Sequence, residues 1–524
     1  MTRRTGGLAA AALALGLIMA AAPPLPAQQA PAGPLAGLDA YIRQAMKDWG
    51  IAGAAVGVVK DDSLVFAGGY GVREAGKPGP VDVHTVFAIG SNTKLFTATL
   101  AGMLVDEGKL KWSDRAATLL PGFQLYDPYV TQQITLGDLL SHDSGLGRRG
   151  DLLWYASPYD RAEILRRIRY LKPITSFRAQ FGYQNIMVMA AGEAVARTAG
   201  KSWDALVRER IFQPLGMSSS NTSVRDLAGL PDVASPHLLQ DGKLHVIPWR
   251  DIDNIGPAGA INSDVVDMAQ WLRLLLADGR YGGKVLIKPA TLHQIEAPHT
   301  IVAFPGDTLV PSTHFVDYGY GVGMNDYLGR KVMTHTGGID GMLSQVTWVP
   351  EAKLGIVVLT NTEGHNDVFA AIARRVLDAY LGAPPRDWSG ILLGATRQAE
   401  AKETAAEQKL EAERPRGTHP SLPLDAYAGK YANEMYGDVA VALESGHLVA
   451  RFGPNFTGDL EPWAYDSFRV TWRDLREGKS MVLFTLDPEG KVAALRIPDI
   501  DEFRRVPDRP VATAAAGAPA GSRP

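Results

Sequence analysis

Cysteine is absent from the 524-residue chain, which excludes disulfides, cysteine-ligated metal centres and a thiol nucleophile together. Neither sign of charge is in excess: 53 Lys and Arg stand against 56 Asp and Glu, a net charge of −3. No long basic run breaks that balance, so nucleic acid is not an expected partner. Beyond the N-terminus no apolar stretch approaches the roughly 20 residues needed to cross a bilayer. The 11 histidines include no H-E-x-x-H or other paired spacing for zinc, and His142 in SHDSG reads as a turn residue rather than a ligand. Gly200-Lys201-Ser202 and Gly478-Lys479-Ser480 lack the upstream glycine of a phosphate loop, because Val195 and Arg473 stand there. No G-x-S-x-G elbow surrounds any serine, which argues against an α/β-hydrolase. No cofactor or metal is expected.

What is present begins with a leader. Arg3 and Arg4 precede an apolar run over residues 8–22, and residues 23–27 supply breakers ending in a small residue. Residues 1–27 therefore read as a secretory signal peptide. The alternative, an N-terminal anchor, needs a longer run. The chain is expected to be exported, periplasmic or secreted, with no stable membrane span after cleavage.

With 46% hydrophobic residues, the rest is long enough for more than one globular domain. Residues 35–382 form the first. Leu35, Leu38, Ile42, Met46 and Trp49 recur at helical spacing, and residues 54–59 and 64–67 read as strands around Asp61-Asp62-Ser63. Further strands are expected at 331–336, 343–349 and 355–359, with a helix over 368–381. A sheet with its termini brought together and covered by helices is an α/β or α+β arrangement. Residues 383–422 read as a linker, because the Glu-, Lys- and Ala-rich stretch 396–414 lacks an apolar stripe. Residues 423–507 are β-rich, with hairpins around Ser445-Gly446 and around residues 487–490. The Ala-, Pro- and Gly-rich tail 508–524 is expected to be disordered.

Chemistry centres on Ser91-Asn92-Thr93-Lys94. Ser91 follows an apolar segment and Gly90, and opens a helical stretch that ends near Gly108. Lys94 then lies three residues on, on the same face. A serine hydroxyl needs a neighbouring base. An amine serves if its pKa falls, and burial and the helix N-terminus both push that way. The same helix end offers the Ser91 amide to an oxyanion. Alone, S-x-x-K is weak, since average composition gives about two in a chain this long. Two later motifs strengthen it. Tyr183-Gln184-Asn185 offers a phenol to shuttle a proton and an amide to hold a substrate carbonyl. His335-Thr336-Gly337-Gly338 ends a predicted strand, where glycines admit a substrate backbone and Thr336 can bond a carboxylate or carbonyl. Gly338 N–H would be the second oxyanion donor. Tyr431-Ala432-Asn433 repeats the Y-x-N pattern but lies in the β-rich part, after the third motif.

In this order the three motifs resemble the serine hydrolases related to class C β-lactamases and DD-peptidases, a penicillin-binding-protein-like family that uses S-x-x-K, Y-x-N and then K-T-G or H-T-G. Residues 134–146 (ITLGDLLSHDSGL), 212–217 (FQPLGM) and 259–263 (GAINS) look similar too. The resemblance implies a β-lactamase/transpeptidase-like domain with an antiparallel sheet flanked by helices and a helical subdomain. It implies Ser91 as nucleophile, Lys94 as activating base and Tyr183 as proton shuttle. Asn185, His335, Thr336 and Gly337 would contact substrate, and an acyl-enzyme would form on Ser91. Where class C β-lactamases carry Lys, this chain has His335, mostly neutral at pH 7 if its pKa is ordinary. That form looks more like a DD-peptidase or an esterase relative than a dedicated β-lactamase. Among small-molecule or peptide substrates, peptides or amides of DD-peptidase or D-residue type come first, carboxylic esters next and β-lactams third. A penicillin-binding sensor that never turns over is the rival from another class. Residues 424–506 resemble the lipocalin-like, barrel-like all-β domains appended to some members, in a packing or gating role. Loops at 148–159 and 302–315 are expected to line the entrance. The sequence does not assign an oligomeric state.

Overall fold

The computed structural model describes residues 33–507 apart from 305, 307, 308, 311, 365 and 499. The leader at 1–27 and the tail at 508–524 lie outside the described residues. Among the described residues no helix is long and apolar enough to cross a membrane, and no group of His, Asp and Glu is arranged to hold a metal ion.

Helix α1 (Leu38–Trp49) buries Leu38, Ile42, Ala45, Met46 and Trp49, one stripe at helical spacing. It leads into strands β1 (Gly53–Lys60) and β2 (Ser63–Gly71). The chain then builds a helical side that includes α2 (Thr93–Asp106), α3 (Asn185–Ala199) and α4 (Val265–Leu276). It returns through β3 (Thr300–Ile301), β4 (Val316–Tyr318), β5 (Gly323–Tyr327), β6 (Arg330–Ile339), β7 (Met342–Val349) and β8 (Leu354–Thr360) to α5 (Val368–Leu381). All eight strands form one antiparallel sheet in the order β2-β1-β8-β7-β6-β5-β4-β3.

The central strands feed two cores, as the alternation of a pleated strand requires. Ala55, Val59, Val357 and Leu359 join the helical-side cluster. Ala54, Val56, Val58, Ile356 and Val358 join the cluster under α1 and α5. Helix α2 is buried without a break from Thr93 to Leu104. It is therefore the hub of the helical side, with Phe96 stacked on Trp271 at 4.0 Å between centroids.

Helix α6 (Trp388–Ala412) begins upstream of the charged stretch that composition marks. Its first turns belong to the sheet domain: Trp388 is fully buried and donates from Nε1 to Asp378 Oδ2 at 2.6 Å. Trp49 Nε1 donates to Ser389 Oγ at 3.0 Å. Beyond Leu392 no residue of α6 is buried. Trp388→Ala is expected to cost about 3–5 kcal/mol, read as a lowered urea midpoint, whereas Leu410→Ala, at a residue 51% exposed, should leave it nearly unchanged.

The C-terminal part is a closed eight-stranded barrel, β9 (Gly429–Asn433) through β16 (Asp501–Arg505). Closure comes from β9 pairing with β16 through Tyr431–Arg505 and Ala432–Arg504. Ser445 and Gly446 both take positive φ at the first hairpin, as a two-residue turn between twisted strands prefers. Tyr431, Phe452, Phe468, Phe484 and Phe503 fill the interior, so this barrel is a packed core, not a ligand cup.

Candidate active site

Ser91 lies in a single tight turn, Gly90–Asn92, that runs straight into α2. The turn emerges from Phe87–Ala88, a short strand paired with Asn262–Ser263. Gly90 has φ 51°, and a Cβ there would stand 2.6 Å from the amide nitrogen of Gly338. Only glycine adopts that conformation without cost and lets the turn approach β6 so closely. Asn92 Nδ2 donates to Ser344 Oγ at 2.8 Å, and Ser344 Oγ donates to Ile89 O at 2.8 Å. The serine is thus held from both sides against the sheet.

Lys94 is fully buried one helical turn on, and Nζ lies 2.8 Å from Ser91 Oγ and 2.8 Å from Ala258 O. No ion pair to Lys94 occurs among the described residues. Burial pushes its pKa well below that of an ordinary lysine; Asp151 opposes the shift and Arg148 adds to it. The Tyr183 hydroxyl donates to Ser91 Oγ at 2.8 Å. Its pKa is raised, mainly by removal from water. One oxygen therefore sits within proton-transfer distance of two groups with opposed pKa shifts.

Strand β6 forms the facing wall. The Asp340-Gly341 turn closes the β6–β7 hairpin at Ile339–Met342, so the pairs that exchange N–H and C=O bonds recur at Gly337 and His335. The amides of Thr336 and Gly338 turn to the other edge. That edge is free, because β5 stops at the Gly323–Thr334 pair. An acyl oxygen between Ser91 N–H and Gly338 N–H would meet two backbone donors.

His335 uses both ring nitrogens. A carbonyl only accepts, so Nδ1 donates to Thr336 O at 2.6 Å, and Nε2 accepts from the Tyr318 hydroxyl at 2.8 Å. Burial and then Lys94 push its pKa down to about 3. The ring is neutral and supplies no fixed charge.

The cleft, about 530 Å³, brings Ser91, Tyr183, Asn185, His335, Thr336 and Gly338 together, with Lys94 beneath. Gly337, expected to contact substrate, does not line it. It is buried, and a Cβ there would stand 1.9 Å from Ile89 O and 2.6 Å from Ser344 Oγ. Its lack of a side chain seats the Ser91 turn, not the substrate. The segment 148–159 does line the cleft, through Arg148, Asp151, Trp154 and Tyr155 among others. The described residues of the segment 302–315 do not line it: Val310 is buried in the opposite core and Thr313 Oγ1 donates to Asp326 O. The second Y-x-N copy is structural, with Tyr431 inside the barrel and Asn433 bonded to Asp501 and Glu502.

Several contributors carry no short-range signal. Asp151 is half-buried, and removal from water raises its pKa; Trp154 Nε1 and Asn185 Nδ2 donate to its Oδ1 at 2.8 and 3.2 Å. His142 does occupy a turn, with φ 60° at the end of helix Leu136–Ser141. Its Nδ1 also accepts the Gln184 N–H at 3.2 Å, and its ring lies 4.3 Å from that of Tyr183. The barrel braces the cleft wall. Tyr436 Oη donates to Arg149 O at 2.9 Å, Asn455 Nδ2 donates to Ala156 O at 2.6 Å, and Arg476 Nη1 joins Arg250 Nε on Asp340 Oδ2, each at 2.6 Å.

Comparison with known proteins identifies the family. Residues 38–381, well over half of the chain, match the family model Beta-lactamase. Residues 413–506 match a domain of unknown function, DUF3471. The chain is 27% identical over 435 residues to the unguisins hydrolase of Aspergillus violaceofuscus, covering 77% of this chain and 76% of that protein. It is 29% identical over 358 residues to penicillin-binding protein 4 of Amycolatopsis lactamdurans, covering 64% and 90%. In fold it is similar to the octameric penicillin-binding protein homologue from Pyrococcus abyssi, at TM-score 0.61 and 21% identity over 89% of this chain and 99% of that one. A sheet domain matched over nearly its whole length, with its motifs converging on one cleft, makes the chain a member of the Beta-lactamase family of penicillin-binding-protein-like hydrolases.

Proposed function

We propose that the chain is an exported serine hydrolase that forms an acyl-enzyme on Ser91 and cleaves peptide or amide bonds, those of D-residue peptides first among them. The observation that carries this reading is the position of Ser91 Oγ, 2.8 Å from both Lys94 Nζ and Tyr183 Oη at the floor of the cleft. Neutral Lys94 accepts the Ser91 proton as Oγ attacks the carbonyl carbon. The amides of Ser91 and Gly338 receive the oxyanion. Tyr183, exchanging a proton with Lys94, delivers one to the departing amine as the C–N bond breaks. Water then releases the acid by the same route in reverse. The relatives named as a hydrolase and as a penicillin-binding protein support the hydrolase reading. The leader pattern of residues 1–27 supports export.

The test is hydrolysis by the mature protein of matched dipeptides ending in L- or D-residues, an aryl ester and a β-lactam. Turnover of the D-peptide is expected, with none by Ser91→Ala; wild-type rates in that variant would refute the reading. The pH profile follows from the same geometry. Activity needs neutral Lys94, so kcat/KM should fall as pH drops through its lowered pKa, an acid limb well below 10.5. His335, at about 3, should contribute no limb between pH 5 and 9, and His335→Gln should leave the limb in place.

A further inference from the structure

Among the described residues, charged groups on the cleft wall are engaged by protein partners, with Arg148 the exception. Asp151 accepts from Trp154 and Asn185. Asp340 accepts from Arg250, Arg476 and Tyr155, and Glu363 accepts the Gly341 N–H at 2.7 Å. Arg148 is exposed, lines the cleft, and makes no hydrogen bond or ion pair among the described residues. Its guanidinium carbon stands 4.5 Å over the Tyr183 ring, and the hydroxyl of that ring reaches Ser91. Asp151, whose carboxylate feels the Arg148 charge, is half-buried and already accepts from Trp154 and Asn185.

The guanidinium is positioned rather than adrift. The loop backbone is tied on either side of it, by Gln184 Nε2 donating to Gly147 O at 2.7 Å and by Tyr436 Oη donating to Arg149 O at 2.9 Å. Packing on the face of an aromatic ring leaves the in-plane N–H groups of a guanidinium free, and that fork matches the two oxygens of a carboxylate. The strand across the cleft offers no competing cation, since His335 is neutral and both its nitrogens are used.

Resting on the proposed role of Ser91, we infer that Arg148 selects substrates bearing a carboxylate close to the scissile acyl bond, supplying from the loop wall the fixed positive charge that strand β6 lacks. It is a specificity-determining residue that itself carries no transferred proton, although its charge adds to the lowering of the Lys94 pKa.

Two matched probe pairs test this. One is 4-nitrophenyl adipate as the free acid and as its methyl ester, with the charge on the acyl side. The other is 3-acetoxybenzoic acid and its methyl ester, with the charge on the leaving group. Wild-type kcat/KM is expected to favour the acid in at least one pair. Compared at a pH above the acid limb of each protein, Arg148→Gln should lower the ratio of kcat/KM for that acid to kcat/KM for its ester by about tenfold to a hundredfold, and Arg148→Lys should restore part of that ratio. The preference should also shrink with added salt. An equal fall for acid and ester in Arg148→Gln, or an undiminished preference for the acid, would overturn the inference. Turnover of the neutral 4-nitrophenyl acetate by wild type but not by Ser91→Ala checks the underlying site separately, so failure of that reading is distinguishable.

Discussion

Replacing Lys94 with methionine lowers kcat by about three orders of magnitude or more and leaves Tm unchanged or higher. The two halves of that result have one cause. Lys94 is fully buried, and among the described residues its amine hydrogen-bonds to the Ser91 hydroxyl and the Ala258 carbonyl with no carboxylate in ion-pair contact. Burying an amine without a counter-ion opposes folding, and methionine fills a similar volume with no polar group to desolvate. A residue retained for packing would show the reverse, lost stability with activity kept. The measurement is kcat on an aryl ester beside a thermal melt of each protein. Loss of both together would place Lys94 in the scaffold rather than the chemistry.

Gly337→Ala is expected to be nearly as damaging, from a residue that does not touch the cleft. A single methyl there would stand 1.9 Å from Ile89 O and 2.6 Å from Ser344 Oγ, so the Ser91 turn must move relative to Gly338. Overpacking of this kind costs about 1–3 kcal/mol. Because the two amides proposed to receive the oxyanion, those of Ser91 and Gly338, lie on either side of the displaced contact, kcat should fall about a hundredfold as well. Gly394→Ala is the control. Gly394 is exposed in helix α6 with no atom within 4 Å of the added Cβ, so stability should rise by about 0.5–1 kcal/mol with kcat unchanged. Denaturant midpoints and ester kinetics on the two variants check both statements.

Local pattern carried much of the architecture. The α1 stripe, the strands around Asp61-Asp62-Ser63 and the barrel hairpin at Ser445-Gly446 are legible because burial of one face imposes a period and two-residue turns demand particular residues. Ser91 and Lys94 are linked by helical spacing alone. The rest of the cleft is built from long-range contacts that leave no local trace. Nothing about Asp151 announces that Asn185 will donate to it, and nothing in Arg250, Asp340 and Arg476 marks residues from three distant segments as one cluster. Gly337 was legible as a glycine in a strand, but whether it makes room for substrate or for Ile89 depends on which face of β6 it occupies. The start of α6 was hidden for a related reason: Trp388 and Leu392 form an apolar pair too short to register as a stripe, yet sufficient to dock the helix.

The barrel gains a definite structural role from these contacts. It holds the 148–159 wall through Tyr436 and Asn455, and the β6–β7 turn through Arg476. Cleft shape therefore depends on a domain that supplies none of the motif residues lining the cleft.

The most direct test of the Ser91 assignment is intact-protein mass spectrometry of the mature chain mixed with a fluorescent penicillin or with 4-nitrophenyl acetate, followed over time beside Ser91→Ala. The account predicts a mass increase equal to the acyl group, present only when Ser91 is present, that forms and then decays. An adduct of the same size on Ser91→Ala would contradict it, and a Ser91 adduct that never decays would replace the hydrolase with a penicillin-binding sensor.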